Sequence, residues 1–436
     1  MRVLHLSTSD IGGGAARAAF RLHTGLRRLG HDSVMLVLKR ASGLDSVRKL
    51  QWHDDLVTRL RRRWRARNIK PDFERYRPTL PADYENFSDD RTEAGYDLVK
   101  QIKSLPAFDV INLHWIAGFL DYEVFFEHLP RGVPLVWRMA DMNAFTGGCH
   151  YDRGCGKFAA RCGACPVLGS STDNDLSRQA WTRKHRALAG VASERMHVVG
   201  TSRWIAEQAR KSSLLGRFPS SVIPNGLDTE VFAPRDKPAA RAALGVPAGA
   251  KAVLFVADSA AATRKGFAYL AAALAQLAGE PELFLMSVGG NKPDVPGIPQ
   301  VDLGRIYDDQ KLSQVYSAAD VFVIPSLQES FGQTVTESMA CGTPVVGFDT
   351  GGIPDMVRPG ETGYLARVGD AADLADKIRR LLREPERWPE FGRNCRAAVL
   401  RDFSIEALAG RYAALYQTLA ASNANPVASR SGRAIR

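Results

Sequence analysis

Residues 321–348 read Val321-Phe-Val-Ile-Pro325-Ser-Leu-Gln-Glu329-Ser-Phe-Gly332-Gln-Thr-Val-Thr-Glu337-Ser-Met-Ala-Cys341-Gly-Thr-Pro344-Val-Val-Gly-Phe348. The apolar run Val321–Ile324 has the pattern of a buried strand, and Pro325, which has no N–H to donate, stops it. Gly332 leads into a helical stretch, Gln333–Ala340. Cys341-Gly342 ends that stretch and Thr343-Pro344 opens the next strand. Strand, turn, helix and strand in so short a space form the unit of a parallel sheet covered by helices. The helix N-terminus offers backbone N–H groups to an anionic ligand. Glu329 and Glu337 flank it, and both carboxylates can accept hydrogen bonds from sugar hydroxyls. The plainer alternative is that both glutamates only favour the positive end of the helix dipole.

Working outward, the second half repeats this logic. Strands are read at Ala252–Val256, Leu283–Val288, Pro344–Phe348 and Gly363–Leu365, and helices at Gly266–Leu277, Asp309–Ala318, Ala371–Leu382 and Ile405–Leu419. The first half opens with a strand at Arg2–Ser7, a glycine-rich turn, a helix over Ala15–Leu29 ended by Gly30, and a strand at Ser33–Leu38. Further strands follow at Val110–Leu113, Leu135–Arg138 and His197–Gly200. Between Leu38 and Val110 lies a long irregular region with a polar run from Pro71 to Thr92, expected to be partly mobile. The halves meet near Phe218–Pro224. The expectation is an α/β protein of two doubly wound domains, 1–218 and 219–402, facing a central cleft with the C-terminal ends of their strands. Residues 403–420 read as a helix crossing back to the first domain, and 421–436 as a disordered basic tail.

The 436 residues suit two or three domains, and 45% hydrophobic with 24% charged residues is ordinary for a globular chain. No apolar run reaches the roughly 18–20 residues of a membrane span. The N-terminus lacks the apolar core of a signal peptide, which makes the cytoplasm the expected compartment. The net charge of +11 is carried by residues 1–218, which hold 35 basic and 23 acidic side chains. An anionic partner should therefore meet the first half. Within it Arg59, Arg61, Arg62, Arg63, Arg65, Arg67 and Lys70 share a stretch without any acid, and Trp52, Leu56, Leu60 and Trp64 recur every fourth residue. As a helix this is an apolar stripe beside a cationic face, suited to an anionic membrane surface. The alternative is a solvated helix packed on its own domain. No nucleic-acid-binding module is present.

Cysteines cluster as Cys149-x5-Cys155-x6-Cys162-x2-Cys165 within an insertion at 146–170. Four thiolates including a Cys-x2-Cys knuckle suit a closed structural zinc site, with His150 as an alternative ligand. Free thiols or a redox-sensitive pair are the other reading. Cys341 and Cys395 read as buried thiols. The loop Ile11-Gly-Gly-Gly-Ala-Ala-Arg17 is not a dinucleotide fingerprint, because Arg17 stands where its third glycine belongs.

The stretch carrying Glu329 and Glu337 resembles the Glu-x7-Glu motif of glycosyltransferase family 4, retaining nucleotide-sugar transferases of the GT-B fold, built from two Rossmann-like domains. Ile223-Pro-Asn-Gly-Leu-Asp-Thr-Glu-Val-Phe232, Arg264-Lys-Gly266, Leu312–Asp320 and Gly351-Gly-Ile-Pro354 extend the resemblance, which runs from Met1 to about Leu419. It implies that Glu337 binds the donor ribose and that Glu329 approaches the donor sugar. Phe331, Gly332, Gln333 and Thr334 would hold sugar and phosphate, and Lys265 would neutralise the departing diphosphate. The family places an arginine six residues before that lysine, where this chain has Ser259; either Arg264 takes its part or backbone dipoles do. Gly13 and Gly14 would lie beside the donor phosphates and the acceptor. A family histidine is replaced by Ala140 while Asp141 is kept, so either Asp141 contacts the acceptor or His114 compensates.

The insertion is similar to one in colanic-acid-type enzymes of bacterial exopolysaccharide synthesis. That implies a nucleoside-diphosphate-sugar donor, a glycan acceptor linked to a polyprenyl diphosphate, a peripheral place at the inner membrane face, and no catalytic metal. The competing classes are a catalytically idle GT-B assembly subunit and a phosphorylase-like or nucleotide-sugar-modifying enzyme.

Overall fold

The computed structural model describes residues 1–80, 87–130, 132–291 and 294–424. Two parallel sheets organise the chain. The first holds β1 (Arg2–Ser9), β2 (Asp32–Lys39), β3 (Val47–Lys49), β4 (Val110–Leu113), β5 (Leu135–Met139), β6 (Met196–Gly200) and β7 (Ser220–Val222), in the order β3-β2-β1-β4-β5-β6-β7. The second holds β8 (Lys251–Ser259), β9 (Leu283–Gly290), β10 (Gln300–Asp302), β11 (Val321–Ile324), β12 (Val345–Phe348) and β13 (Gly363–Ala366), in the order β10-β9-β8-β11-β12-β13. Both are doubly wound: the chain works outward from β1 or β8 to one edge, then returns to the middle and builds the other. The central strands are buried on both faces, which is why they read as unbroken apolar runs and not as alternating patterns.

The chain divides into two compact units, Met1–Ile223 with Leu408–Arg436, and Pro224–Ala407. The helix Ile405–Ala424 joins the first unit because Leu408, Tyr412 and Tyr416 pack into an apolar cluster with Val3, Leu22, Val110 and Val136. The first unit also encloses a buried polar group. His5 Nδ1 lies 2.9 Å from His114 Nε2, the Asn112 side chain donates to the Tyr416 hydroxyl at 2.6 Å, and His23 of the helix Gly14–Arg28 bonds the hydroxyls of Ser33 at 2.7 Å and Ser46 at 2.9 Å.

Two expectations need correcting. Among the described residues the stretch between Leu38 and Val110 is not irregular: it contains β3 and the helices Leu56–Glu74 and Gly95–Ser104, while residues 81–86 of the polar run lie outside the described residues. Its polar composition conceals this because Arg62 and Arg65 attach most of the first of these helices, with Phe73 as the apolar contact at its end, and Asp55 caps it by accepting from the Thr58 N–H. The terminal helix runs on to Ala424, so residues 421–424 are helical; the remainder of the expected tail, 425–436, lies outside the described residues. Helices Tyr122–His128, Leu176–Ala189, Arg203–Lys211, Lys237–Leu244 and Trp388–Asp402 are present as well, without having been legible as periodic segments.

Candidate functional site

In the second unit the topological switch lies between β8 and β11, where connections leave in opposite directions. Such a point opens a crevice at the C-terminal ends of the strands. The turn after β8 carries Arg264 and Lys265; the loop after β11 carries Glu329. Lys265 Nζ donates to Glu329 Oε2 at 2.7 Å, and Arg264 approaches the same oxygen at 3.6 Å while donating to the Gln328 carbonyl at 2.9 Å. The loops are stitched by backbone as well, with the Leu327 N–H donating to the Arg264 carbonyl and the Gly352 N–H to the Glu329 carbonyl. Gly266 (φ 70°) and Gly351 (φ 57°) occupy the left-handed region, and a Cβ on either would overlap a carbonyl oxygen, that of Pro325 or of Glu329. These glycines allow three turns to converge on one carboxylate.

Burial pushes the Glu329 carboxyl up, but Lys265, Arg264 and the Phe331 N–H outweigh it, and its pKa lies below the ordinary glutamate value. Gly332 (φ 91°) then starts the helix Gln333–Ala340 without a side chain to cap it, and Gln333 and Thr334 form its first turn, half-buried. Phe331 is buried in the core beside Phe403. Glu337 lies further along the helix, buried, and accepts a hydrogen bond from the Tyr316 hydroxyl at 3.1 Å.

In the first unit the switch lies between β1 and β4. Gly13 (φ 90°) precedes the helix that begins at Gly14, and no acid stands in that helix's first turn. Asp10 holds the entering chain by accepting from the Ile11, Ala41 and Ser42 N–H groups. Asp141 follows β5, and its Oδ2 takes hydrogen bonds from Trp115 Nε1 at 2.8 Å and His150 Nδ1 at 2.6 Å, its Oδ1 from the Asn143 N–H at 2.9 Å. Although burial pushes the Asp141 carboxyl up, the His150 imidazole and these hydrogen bonds bring it below the ordinary value. His150 Nε2 lies 2.9 Å from Ser88 Oγ. The ring thus bridges the carboxylate through Nδ1 and the serine hydroxyl through Nε2. His114, by contrast, sits inside the buried polar group against His5. Burial first, then the nearby His5, Arg138 and His23, hold its pKa well below the ordinary value.

Residues 250–384 match the sequence model of a family described as Glycosyl transferases group 1. That segment resembles a group 1 glycosyl transferase module. D-inositol 3-phosphate glycosyltransferase of Mycolicibacterium smegmatis is 34% identical over 229 residues, 49% of this chain and 51% of that protein. N-acetyl-alpha-D-glucosaminyl L-malate synthase of Bacillus anthracis is 28% identical over 202 residues, 44% of this chain and 52% of that protein. The chain thus spans about half the length of the curated relatives it matches. Among solved structures, sucrose-phosphate synthase of Thermosynechococcus elongatus superposes with a TM-score of 0.67 at 22% identity, over 97% of this chain and 100% of that one. HepE of Anabaena in complex with UDP-glucose gives a TM-score of 0.63 at 19% identity, over 96% of this chain and 100% of that one. The fold is GT-B.

Arg264, Lys265, Glu329, Phe331, Gly332, Gln333, Thr334 and Glu337 all fall within the matched module, and the structure gathers them around the β8/β11 switch. Tyr316, which donates to Glu337, is a candidate residue that the sequence reading does not name. Its signal is weak, a single tyrosine on an amphipathic helix.

The insertion brings Cys149, Cys155, Cys162 and Cys165 within electrostatic reach of one another. All four are free thiols whose pKa burial raises. Backbone N–H groups point at three of the sulfurs, Lys157 at Cys155, Gly147 at Cys162, and Val167 and Leu168 at Cys165. Among the described residues no three His, Cys, Asp or Glu side chains are drawn together closely enough to hold an ion. His150, the alternative ligand expected from sequence, is instead committed to Asp141 and Ser88.

Proposed function

We propose that this chain is a retaining glycosyltransferase that moves a sugar from a nucleoside-diphosphate sugar to a growing glycan. The observation that carries this reading is the Lys265–Glu329 pair across the β8/β11 switch. A buried carboxylate kept ionised is ready to accept hydrogen bonds from sugar hydroxyls, and the ammonium on its oxygen is a mobile point charge. When a donor enters, Lys265 and Arg264 turn to its diphosphate and Glu329 is released to the sugar. The charge that develops on the leaving phosphate then meets cations already in place. Glu337, oriented by Tyr316, holds the ribose. The group 1 match over 250–384 and the UDP-glucose complex of HepE support the nucleotide assignment.

Calorimetric titration with UDP and with GDP tests it. One nucleotide is expected to bind in preference, and Glu337→Ala to weaken that binding by about tenfold or more, since hydrogen bonds to a charged group contribute about 1.5–3 kcal/mol. Binding of neither nucleotide to the folded protein would favour the idle-subunit reading, to which Ala140 and Ser259 lend some weight. Acceptor-stimulated nucleotide release separates transfer from the phosphorylase-like alternative.

The acceptor in this reading is a glycan on an anionic polyprenyl diphosphate carrier in exopolysaccharide synthesis, at the inner membrane face, with Gly13, Gly14 and Asp141 nearest to it. The cationic excess of residues 1–218 supports this. To close on one structural zinc, the four cysteines of the insertion would have to draw closer together than the structure places them. The donor set suits that ion, and N–H groups directed at sulfur are the outer-shell partners that thiolates need. Four sulfurs leave no position for Lewis-acid chemistry. Elemental analysis finding one zinc per chain would bear this out; a metal-free, fully folded protein with four titratable thiols would remove it.

A further inference from the structure

The helix Leu56–Glu74 is built inside out. Its buried residue is Thr58, and arginines turn toward the protein. Arg65 pairs with Asp121 and donates to the Thr92 carbonyl. Arg62 lies 3.7 Å from Asp97 and stacks over Trp52 at 4.9 Å, and Arg61 stacks over Tyr96 at 4.7 Å. Leu56, Val57, Leu60 and Trp64 face the other way, while Phe73 at the far end packs against the cluster around Phe87. Leu56 is 70% exposed, Val57 56%, Leu60 56% and Trp64 66%. With Trp52 these make five of the eleven large apolar side chains exposed on the described chain, so the exposure is concentrated in one patch and not scattered.

At about 100° per residue, Leu56, Leu60, Trp64 and Val57 fall within one sector of about 100°. Arg59, Arg63 and Lys70 fall in the adjoining sector, and Arg67 falls within the stripe, one turn past Trp64. All four are exposed, and among the described residues Arg59, Arg63 and Arg67 have no acidic partner. An apolar stripe ending in a tryptophan, bordered by unpaired guanidinium groups on a helix about 28 Å long, fits the boundary between lipid tails and anionic headgroups.

We propose that Leu56–Glu74 is a docking surface for an anionic bilayer, on which the helix lies parallel to the membrane plane. Among the described residues no helix is long and apolar enough to cross a membrane, so this contact is interfacial. Charge complementarity selects the occupant. A second copy meeting this face about a two-fold axis would oppose arginine to arginine. A nucleic acid would satisfy the arginines and leave the leucines and Trp64 in water. The proposal stands on the helix alone and does not depend on the transferase reading, though it would bring the first unit to a lipid-linked acceptor.

Flotation of the full-length protein with vesicles of phosphatidylglycerol and phosphatidylcholine, against pure phosphatidylcholine, tests it. Binding is expected to the mixed vesicles only, to fall with added salt, and to shift Trp64 emission to shorter wavelength, a shift absent in Trp64→Phe. Replacing Arg59, Arg63 and Arg67 together by Gln should weaken binding about a hundredfold, at roughly fivefold per cation. The triple change Leu56→Ser, Leu60→Ser, Trp64→Ser should abolish it with the melting temperature unchanged, because these side chains are exposed. Equal binding to both vesicle types, binding indifferent to both triple variants, no binding at all, or a dimer lost in Leu60→Ser would each overturn the proposal. Nucleotide titration of the same variants should match the parent, which keeps this result distinct from the fate of the transferase reading.

Discussion

Acidification should loosen the first unit above the pH at which most of its carboxylates take up protons, and His23 sets the size of the effect; Asp90, whose pKa burial raises to about 6, acts in the opposite direction. Its ring is wholly enclosed between the helix Gly14–Arg28 and β2, with both nitrogens bonded to serine hydroxyls. Burial, with Arg27 adding to it, lowers its pKa to about 4 from an ordinary value of 6.5. Below pH 6.5 the unfolded chain takes up a proton on this histidine that the folded chain refuses, so stability falls as pH falls, down to the folded pKa. Between pH 7 and pH 5 the loss from His23 alone is about 2 kcal/mol, the 1.36 kcal/mol per pH unit applied over the roughly 1.5 units below pH 6.5. In a unit of this size that is a drop in melting temperature of about 4–8 °C. His5 and His114, whose pKa values burial also lowers well below the ordinary value, act in the same direction. His23→Gln keeps a side chain able to bond both serines and removes the titration. Melting curves of parent and variant at pH 7 and pH 5 should show a clearly smaller acid shift in the variant. Equal acid shifts would refute the account, because the destabilisation would then come from elsewhere.

The loop geometry of the second unit makes a sharper prediction. In Gly351→Ala the new methyl group meets the Glu329 carbonyl at a positive φ, so donor affinity should fall at least tenfold while the first unit melts as before. Unchanged nucleotide-sugar titration would show that the turn does not hold the glutamate. Lys265→Gln removes the nearest cation from Glu329, so the acid limb of the pH–rate profile should move to higher pH and kcat should fall on the order of a hundredfold, more than KM changes; a profile unmoved on its acid side counts against the pairing. His150→Ala withdraws one of three donors from Asp141 and the ring packed 5.6 Å from Trp115. It should change Trp115 emission and raise KM for acceptor without touching nucleotide binding, and a shift confined to nucleotide affinity would contradict the placement of Asp141.

Some of these residues are visible in the sequence because their neighbours are local. The run from Val321 to Phe348 announces strand, turn, helix and strand through apolar blocks, Pro325, Gly332 and Gly342, and the observed helix bounds, Gln333–Ala340, coincide with those read from the sequence. The arginine-rich stretch reads as compatible with a helix, yet its surroundings carry no regular pattern. Its attachment through Arg62 and Arg65 depends on Asp97 and Asp121, which lie far along the chain. The buried His5 and His23 give no signal, since a histidine in a strand or helix reads the same whether it faces the core or water.

Composition and periodicity by themselves determined two doubly wound α/β units, the position of the Glu329–Glu337 segment at a helix start, and the clustering of four cysteines. These follow from apolar spacing, glycine and proline positions, and short-range helix geometry, all of which operate within a few residues. Tertiary structure alone decided that Lys265 bonds Glu329, that Tyr316 orients Glu337, that His150 bonds Asp141 and Ser88, and that Leu56, Leu60 and Trp64 face outward. Each of those depends on which strands become neighbours at a switch point, or on which face a distant acid recruits. No pattern of spacing along one chain encodes a pairing that the fold makes across many residues.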